Sequence, residues 1–214
     1  MMGYLILIEL VESRENYMNI LTALLVASTL ISITTPVQDL PIFHVKGAKL
    51  TAKYQDDKEK MTDALRIFEK VMNDKMFQKK LSDTAFLFDL PEDPMRTLSS
   101  RQIVATLFSG KEWYHTDADN TADIIWNCSK RKHKPPLTTA IGYGDENDST
   151  INTYIFFVRH EKMEDIVNNL AHEWSHKVGF DHQKKKHPER DKTVPYLFGD
   201  LVGEFSKKYL VDNR

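Results

Sequence analysis

Four residues in the stretch NLAHEWSHKVGFDH, residues 169 to 182, have side chains that can do chemistry together: His172, Glu173, His176 and His182. On a helix, side chains at i and i+4 are surface neighbours, so the imidazoles of His172 and His176 can reach a single cation. Ile166, Val167, Leu170, Trp174 and Val178 cluster on nearly the opposite side, which keeps the histidines out of the core stripe. Glu173 stands about a quarter turn away, beside a metal but not on it, where a carboxylate can take a proton from water at the ion. His182 follows beyond Gly179, a residue able to adopt the positive φ that ends a helix and turns the chain back. Three neutral imidazoles leave a fourth position for water, the open arrangement of a catalytic zinc site; a structural site is closed by protein ligands.

One helical histidine is ordinarily a satisfied surface or core side chain, and one HExxH is a common coincidence. Here all five fixed positions of HExxHxxGxxH are present: His172, Glu173, His176, Gly179 and His182. The only cysteine, Cys128, excludes an internal disulfide and any cysteine-based zinc cluster, so a metal must be held by histidine and carboxylate.

The elements that must position these residues follow from pattern. A chain of 214 residues with 41% hydrophobic and 28% charged residues supports one domain with a real core. Residues 42–54 alternate as a strand interrupted by Gly47, and Met61, Ala64, Leu65, Phe68, Val71 and Met72 mark a long helix from Asp57 to about Lys80. Ser99 or Ser100 caps a shorter helix that Gly110 stops. Strands are expected at 122–128, 137–143 and 150–158, the last two as a hairpin across GDENDS. The histidine helix runs from Met163 to Val178, and Leu197, Leu201 and Phe205 repeat along a last helix.

A net charge of −2 gives no basic field for nucleic acid or an anionic membrane. The basic stretches KRKHK (130–134) and QKKKH (183–187) read as solvated loops, and the acidic DADN (117–120) and DEND (145–148), which lack EF-hand spacing, read as turns. The uncharged run from Asn19 to Ile33, followed by TTPVQDLP, reads as a signal peptide or membrane anchor over residues 1–38, placing the protein in the secreted or cell-envelope space. Its flanks are unusual for export, with Arg14 the only basic residue ahead of it, and a buried helix is the alternative. Met18 is an alternative start to Met1.

The zinc segment resembles the consensus of the metzincin metallopeptidases. Together with TAIGYGDENDSTINTYIFFVRH and VPYLFGDLV it is similar to small bacterial and phage metzincin-like proteins, over roughly residues 95 to 205. The resemblance implies an α+β, zincin-like catalytic domain over residues 39–214, with a long early helix, a small mixed sheet whose edge strand lines the cleft, and a zinc helix. It implies Zn2+ on His172, His176 and His182 and hydrolysis of a peptide or protein substrate by a monomer with Glu173 as general base. An edge strand near 150–158 would pair with extended substrate. The chain departs from the family in having no methionine after Met163 where metzincins carry a methionine turn. TVPYLF (193–198) stands in its place: Val194 or Pro195 would supply an apolar floor, and Tyr196 resembles the tyrosine that approaches zinc in the astacin and serralysin branches, with ordinary packing as its alternative. Other readings are a zinc amidase acting on a non-protein amide such as a cell-wall peptide, and an inactive metal-binding or adhesion module. Pure metal binding has no use for Glu173.

Overall fold

The computed structural model describes residues 40–86, 98–112, 114–129, 142–143, 150–182 and 188–210. The apolar run before Leu40, both basic stretches, the DEND turn and the expected strand residues 137–141 lie outside the described residues. Among the described residues no helix is long and apolar enough to cross a membrane.

In chain order the elements are β1 (His44–Thr51), α1 (Gln55–Met72), α2 (Lys75–Ser82), α3 (Ser100–Ser109), β2 (Thr121–Ser129), β3 (Gly142–Tyr143), β4 (Thr150–Tyr154), α4 (Ile155–His160), α5 (Met163–Lys177) and α6 (Val194–Leu210). The result is a mixed α/β fold around a small sheet of order β1-β2-β4-β3. Strands β1 and β4 each lie parallel to β2, and β3 runs antiparallel to β4. Parallel neighbours need long crossovers, and α1, α2 and α3 lie in the connection from β1 to β2. Along β2 every second residue is buried, from Ala122 through Ile124 and Trp126 to Cys128, the period expected of a strand with one face on the core.

Three expectations are corrected. The long helix is two helices, because Asn73 and Asp74 interrupt it. Asn73 exchanges hydrogen bonds with the backbone N–H and C=O of Phe43 at 2.9 and 2.7 Å, and Asp74 accepts from Met76 and Phe77 N–H as the cap of α2. The strand at 150–158 stops at Tyr154 and the chain turns into α4, which buries Val158 and sends Arg159 bidentately onto Asp57, at 2.8 and 2.7 Å. Composition favoured a strand through IFFV; that bidentate, part-buried ion pair with the start of α1 favours a helical turn. Finally, β4 is not an edge: it lies between β2 and β3. The cap at Ser99, the left-handed stop at Gly110 and the hairpin pairing of Gly142 and Tyr143 with Thr153 and Asn152 agree with the pattern.

Asp74 also accepts from Lys208 Nζ at 2.7 Å and Tyr209 OH at 2.8 Å, tying α2 to the end of α6. Burial opposes its ionisation, but these bonds and those from Met76 and Phe77 outweigh it and hold the carboxyl at about 2. A depressed carboxyl contributes stability that is fully present above the unfolded aspartate value of about 3.9 and is lost as pH falls through the folded value. Asp74→Ala should therefore cost on the order of 1–2 kcal/mol at neutral pH, as loss of a helix cap does, and the gap from the parent should close between about pH 4 and pH 2. Urea titrations across that range test it; a gap independent of pH contradicts the ionised cap.

Candidate metal centre

Helix α5 begins with Glu164 and Asp165 in its first turn, where carboxylates favour the helix dipole. One face carries Ile166, Val167, Leu170 and Trp174, all fully buried. Trp174 packs edge-on against Phe43 and Phe68 at 5.4 and 5.7 Å between ring centres and lies 6.1 Å from Phe198. Its indole N–H donates to Glu112 Oε1 at 3.3 Å, and burial pushes the Glu112 carboxyl up to about 7. With that face fixed, His172 and His176 project from the other side.

The helix ends in a glycine turn. Gly179 has φ 99°, its N–H donates to His176 O at 3.2 Å, and Phe180 N–H donates to Ser175 O at 3.1 Å. This pair of bonds is the Schellman arrangement, which satisfies the last carbonyls and reverses the chain. Phe180 tucks into the core at 3% exposure, and the reversal brings His182 against the helix. One ring nitrogen from each of His172, His176 and His182 lies within 4.8 Å of the others. Ring centres are 5.1 Å apart for His172 and His176, 5.3 Å for His172 and His182, and 4.9 Å for His176 and His182.

The rings are oriented by the backbone around them. His176 Nδ1 lies 2.8 Å from the Phe180 carbonyl, which only a protonated Nδ1 can bond, so Nε2 keeps its lone pair. The His172 ring bonds the Pro195 carbonyl. Such outer hydrogen bonds fix tautomer and orientation at imidazole ligands. Burial first, then the neighbouring His176 and His182, holds His172 well below the ordinary histidine range, and burial with His182 holds His176 down to about 4. Both are neutral near pH 7, the state in which imidazole ligates a metal.

Glu173 sits beside the triad. Burial pushes its carboxyl up to about 7, against the pull of Lys177 and a hydrogen bond from Asn169. Asn169 belongs to a chain of bonds reaching across the sheet: Trp126 Nε1–H donates to Thr153 Oγ1 at 2.9 Å, and Thr153 Oγ1–H donates to Asn169 Oδ1 at 3.3 Å. Sequence reasoning missed Asn169, although it lies one turn before Glu173 on the same helix.

The TVPYLF segment opens α6. Val194 and Pro195 are buried, and the Tyr196 ring lies edge-on to His172 at 4.6 Å and 5.0 Å from His182, with the Arg190 guanidinium 5.0 Å over its face. Tyr196 therefore stands at the three-histidine centre and not in the core. The buried stripe of α6 is Val194, Phe198, Leu201 and Val202, while Leu197 and Phe205 are only partly buried. The three histidines and Tyr196 are thus brought together, and burial first, then nearby carboxylates with Glu173 among them, raises the proton affinity of the Tyr196 hydroxyl. The donor set and its spacing suit a zinc ion. No protein-family model, curated protein or solved structure matches this chain.

Helix α6 approaches α5 closely because Gly199 and Gly203 face it. A Cβ on Gly199 would stand 3.2 Å from His172 Cβ, 3.1 Å from Asn168 O and 2.7 Å from Asn168 Oδ1. Gly199→Ala should therefore destabilise the protein by a net ~1–2 kcal/mol, overpacking outweighing the gain in helix propensity. Denaturant unfolding measures it, and a more stable variant would show that α6 is free to shift away from His172.

Proposed function

We propose that this chain is a zinc-dependent endopeptidase of the metzincin type, its mixed sheet and helices forming a zincin-like domain. The observation that carries the reading is the convergence of three imidazoles, two of them held neutral, next to a half-buried carboxyl raised to about 7. Bound zinc would supply a Lewis acid that acidifies water and polarises the scissile carbonyl.

The chain's own residues supply the rest. His172, His176 and His182 would hold the ion, with the Pro195 and Phe180 carbonyls fixing two of the rings. Glu173 takes a proton from the attacking water and returns one to the leaving amine, work suited to a carboxyl whose affinity for protons lies near the working pH. Asn169 keeps that carboxyl in place. Tyr196, whose ring lies 4.6 Å from that of His172, would donate its hydroxyl proton in a hydrogen bond to the carbonyl oxygen as negative charge grows there. Because β3 and not β4 ends the described sheet on this side, an extended peptide would pair with β3, and main-chain pairing favours a broad range of sequences. Export rests on residues 1–38.

Glu173→Gln should keep fold and zinc while peptide hydrolysis falls by at least ~10², the lower range for general acid–base catalysis. Casein or a quenched peptide, assayed with and without a chelator, is the measurement; undiminished turnover moves the base elsewhere. Cleavage of a cell-wall peptide amide with casein untouched would favour the amidase instead.

Tyr196→Phe should lower kcat on the order of 10²-fold with KM little changed, because a bond to the developing oxyanion acts mainly in the transition state. An unaltered kcat would reduce Tyr196 to a packing ring against His172.

A further inference from the structure

A second cluster with metal-ligand chemistry lies on the core side of α5. Glu112, His115 and Asp123 each offer a ligand atom within 4.8 Å of the other two. An antiparallel bridge between Glu112 and His115 folds the chain back on itself, and Asp123 comes in from the start of β2. The Tyr114 hydroxyl donates to the Asp123 carbonyl at 2.8 Å, fastening the bend to the strand.

Each carboxylate has one oxygen held by protein donors. Glu112 Oε1 accepts from Asp123 N–H at 3.1 Å and from the Trp174 indole at 3.3 Å, and Asp123 Oδ1 pairs with Lys46 Nζ at 3.4 Å. The second oxygens are differently placed. Glu112 is only 1% exposed, yet its Oε2 is buried without a hydrogen-bond partner. Asp123 Oδ2 faces His115 Nδ1 at 3.8 Å, and that nitrogen is likewise buried without a hydrogen-bond partner. An orphaned carboxylate oxygen in the interior is costly, and buried groups of this kind ordinarily have an ion, a water or a donor against them.

The geometry points to a second divalent-cation site formed by Glu112, His115 and Asp123, separate from the three-histidine centre and on the opposite face of the same helix. Metal–ligand bonds of about 2.0–2.2 Å place neighbouring ligand atoms roughly 3.4 Å apart, so small side-chain rotations bring these three onto one ion. Calcium and magnesium prefer oxygen throughout, and the imidazole turns the choice to a transition ion of the zinc class. The bonds from Trp174 and Lys46 then act as the outer contacts that orient ligating carboxylates. A cation there joins the 112–123 segment to the residue that anchors α5 in the core.

The test uses the full chain carrying His172→Ala, His176→Ala and His182→Ala, titrated with zinc in a calorimeter. About one zinc per chain should still bind, and adding Glu112→Gln and Asp123→Asn should abolish it. A triple-alanine chain that binds no zinc overturns the proposal. Should that variant fail to fold, His115→Ala alone, altering a partly exposed ring, should lower the zinc content by about one ion per chain whatever the three-histidine centre holds, and an unchanged stoichiometry overturns the proposal as well. Hydrolytic activity does not enter these readouts, so failure of the peptidase reading would leave this site standing, and the reverse.

Discussion

The seating of Trp174 governs the geometry of everything around it. An indole of that size, fully buried among Phe43, Phe68 and Phe198, fixes the rotation of α5 about its axis, and its N–H on Glu112 fixes how deep it goes. Two residues either side of it on the sequence, His172 and His176 leave the helix on the face turned away from the core. A turn of the helix by one residue's angle, about 100°, would bury a histidine and expose the indole, exchanging one well-packed aromatic for a cavity and an unsatisfied imidazole.

Rotation alone places only two of the three imidazoles. The third depends on the glycine turn, and the turn also serves the second, because the Phe180 carbonyl released by the reversal receives His176 Nδ1–H. From the other side α6 delivers the Pro195 carbonyl to His172, which is possible only because Gly199 and Gly203 let its backbone come within side-chain range of Asn168 and His172. Backbone carbonyls from the turn after α5 and from the first turn of α6 thus orient rings on α5. The same first turn of α6 brings Tyr196 to the centre, and Arg190 stacks over its face.

How much of this could be read from the sequence follows from the range of the forces involved. Histidine spacing, the core stripe of α5 and the left-handed glycine are local, so the helix bounds and the facing of His172 and His176 emerged from periodicity. The break at Asn73 and Asp74 did not, because the partners that impose it, Phe43, Lys208 and Tyr209, are distant in the chain. Nor did the turn at Ile155, where β-branched and aromatic residues favour a strand and the bidentate Arg159–Asp57 pair, distant in the chain, overrides them. Asn169 resembled a polar residue on the helix surface; its role appears only once Thr153 and Trp126 are across from it. Glu112, His115 and Asp123 have no motif spacing, and the bridge that gathers them lies beside DADN, a stretch whose composition signals no more than a turn.

Burial acts in opposite senses on adjacent residues of the centre. Removing water disfavours whichever form is charged, so it lowers His172 and His176 and raises Glu173. Metal ligation needs neutral imidazoles, and a general base needs a carboxyl that can hold a proton near neutrality; one partly buried environment favours both. The two effects are therefore coupled through a single property. Asn169 and Lys177 temper the rise at Glu173, leaving its carboxyl near 7 where it can both accept and release a proton.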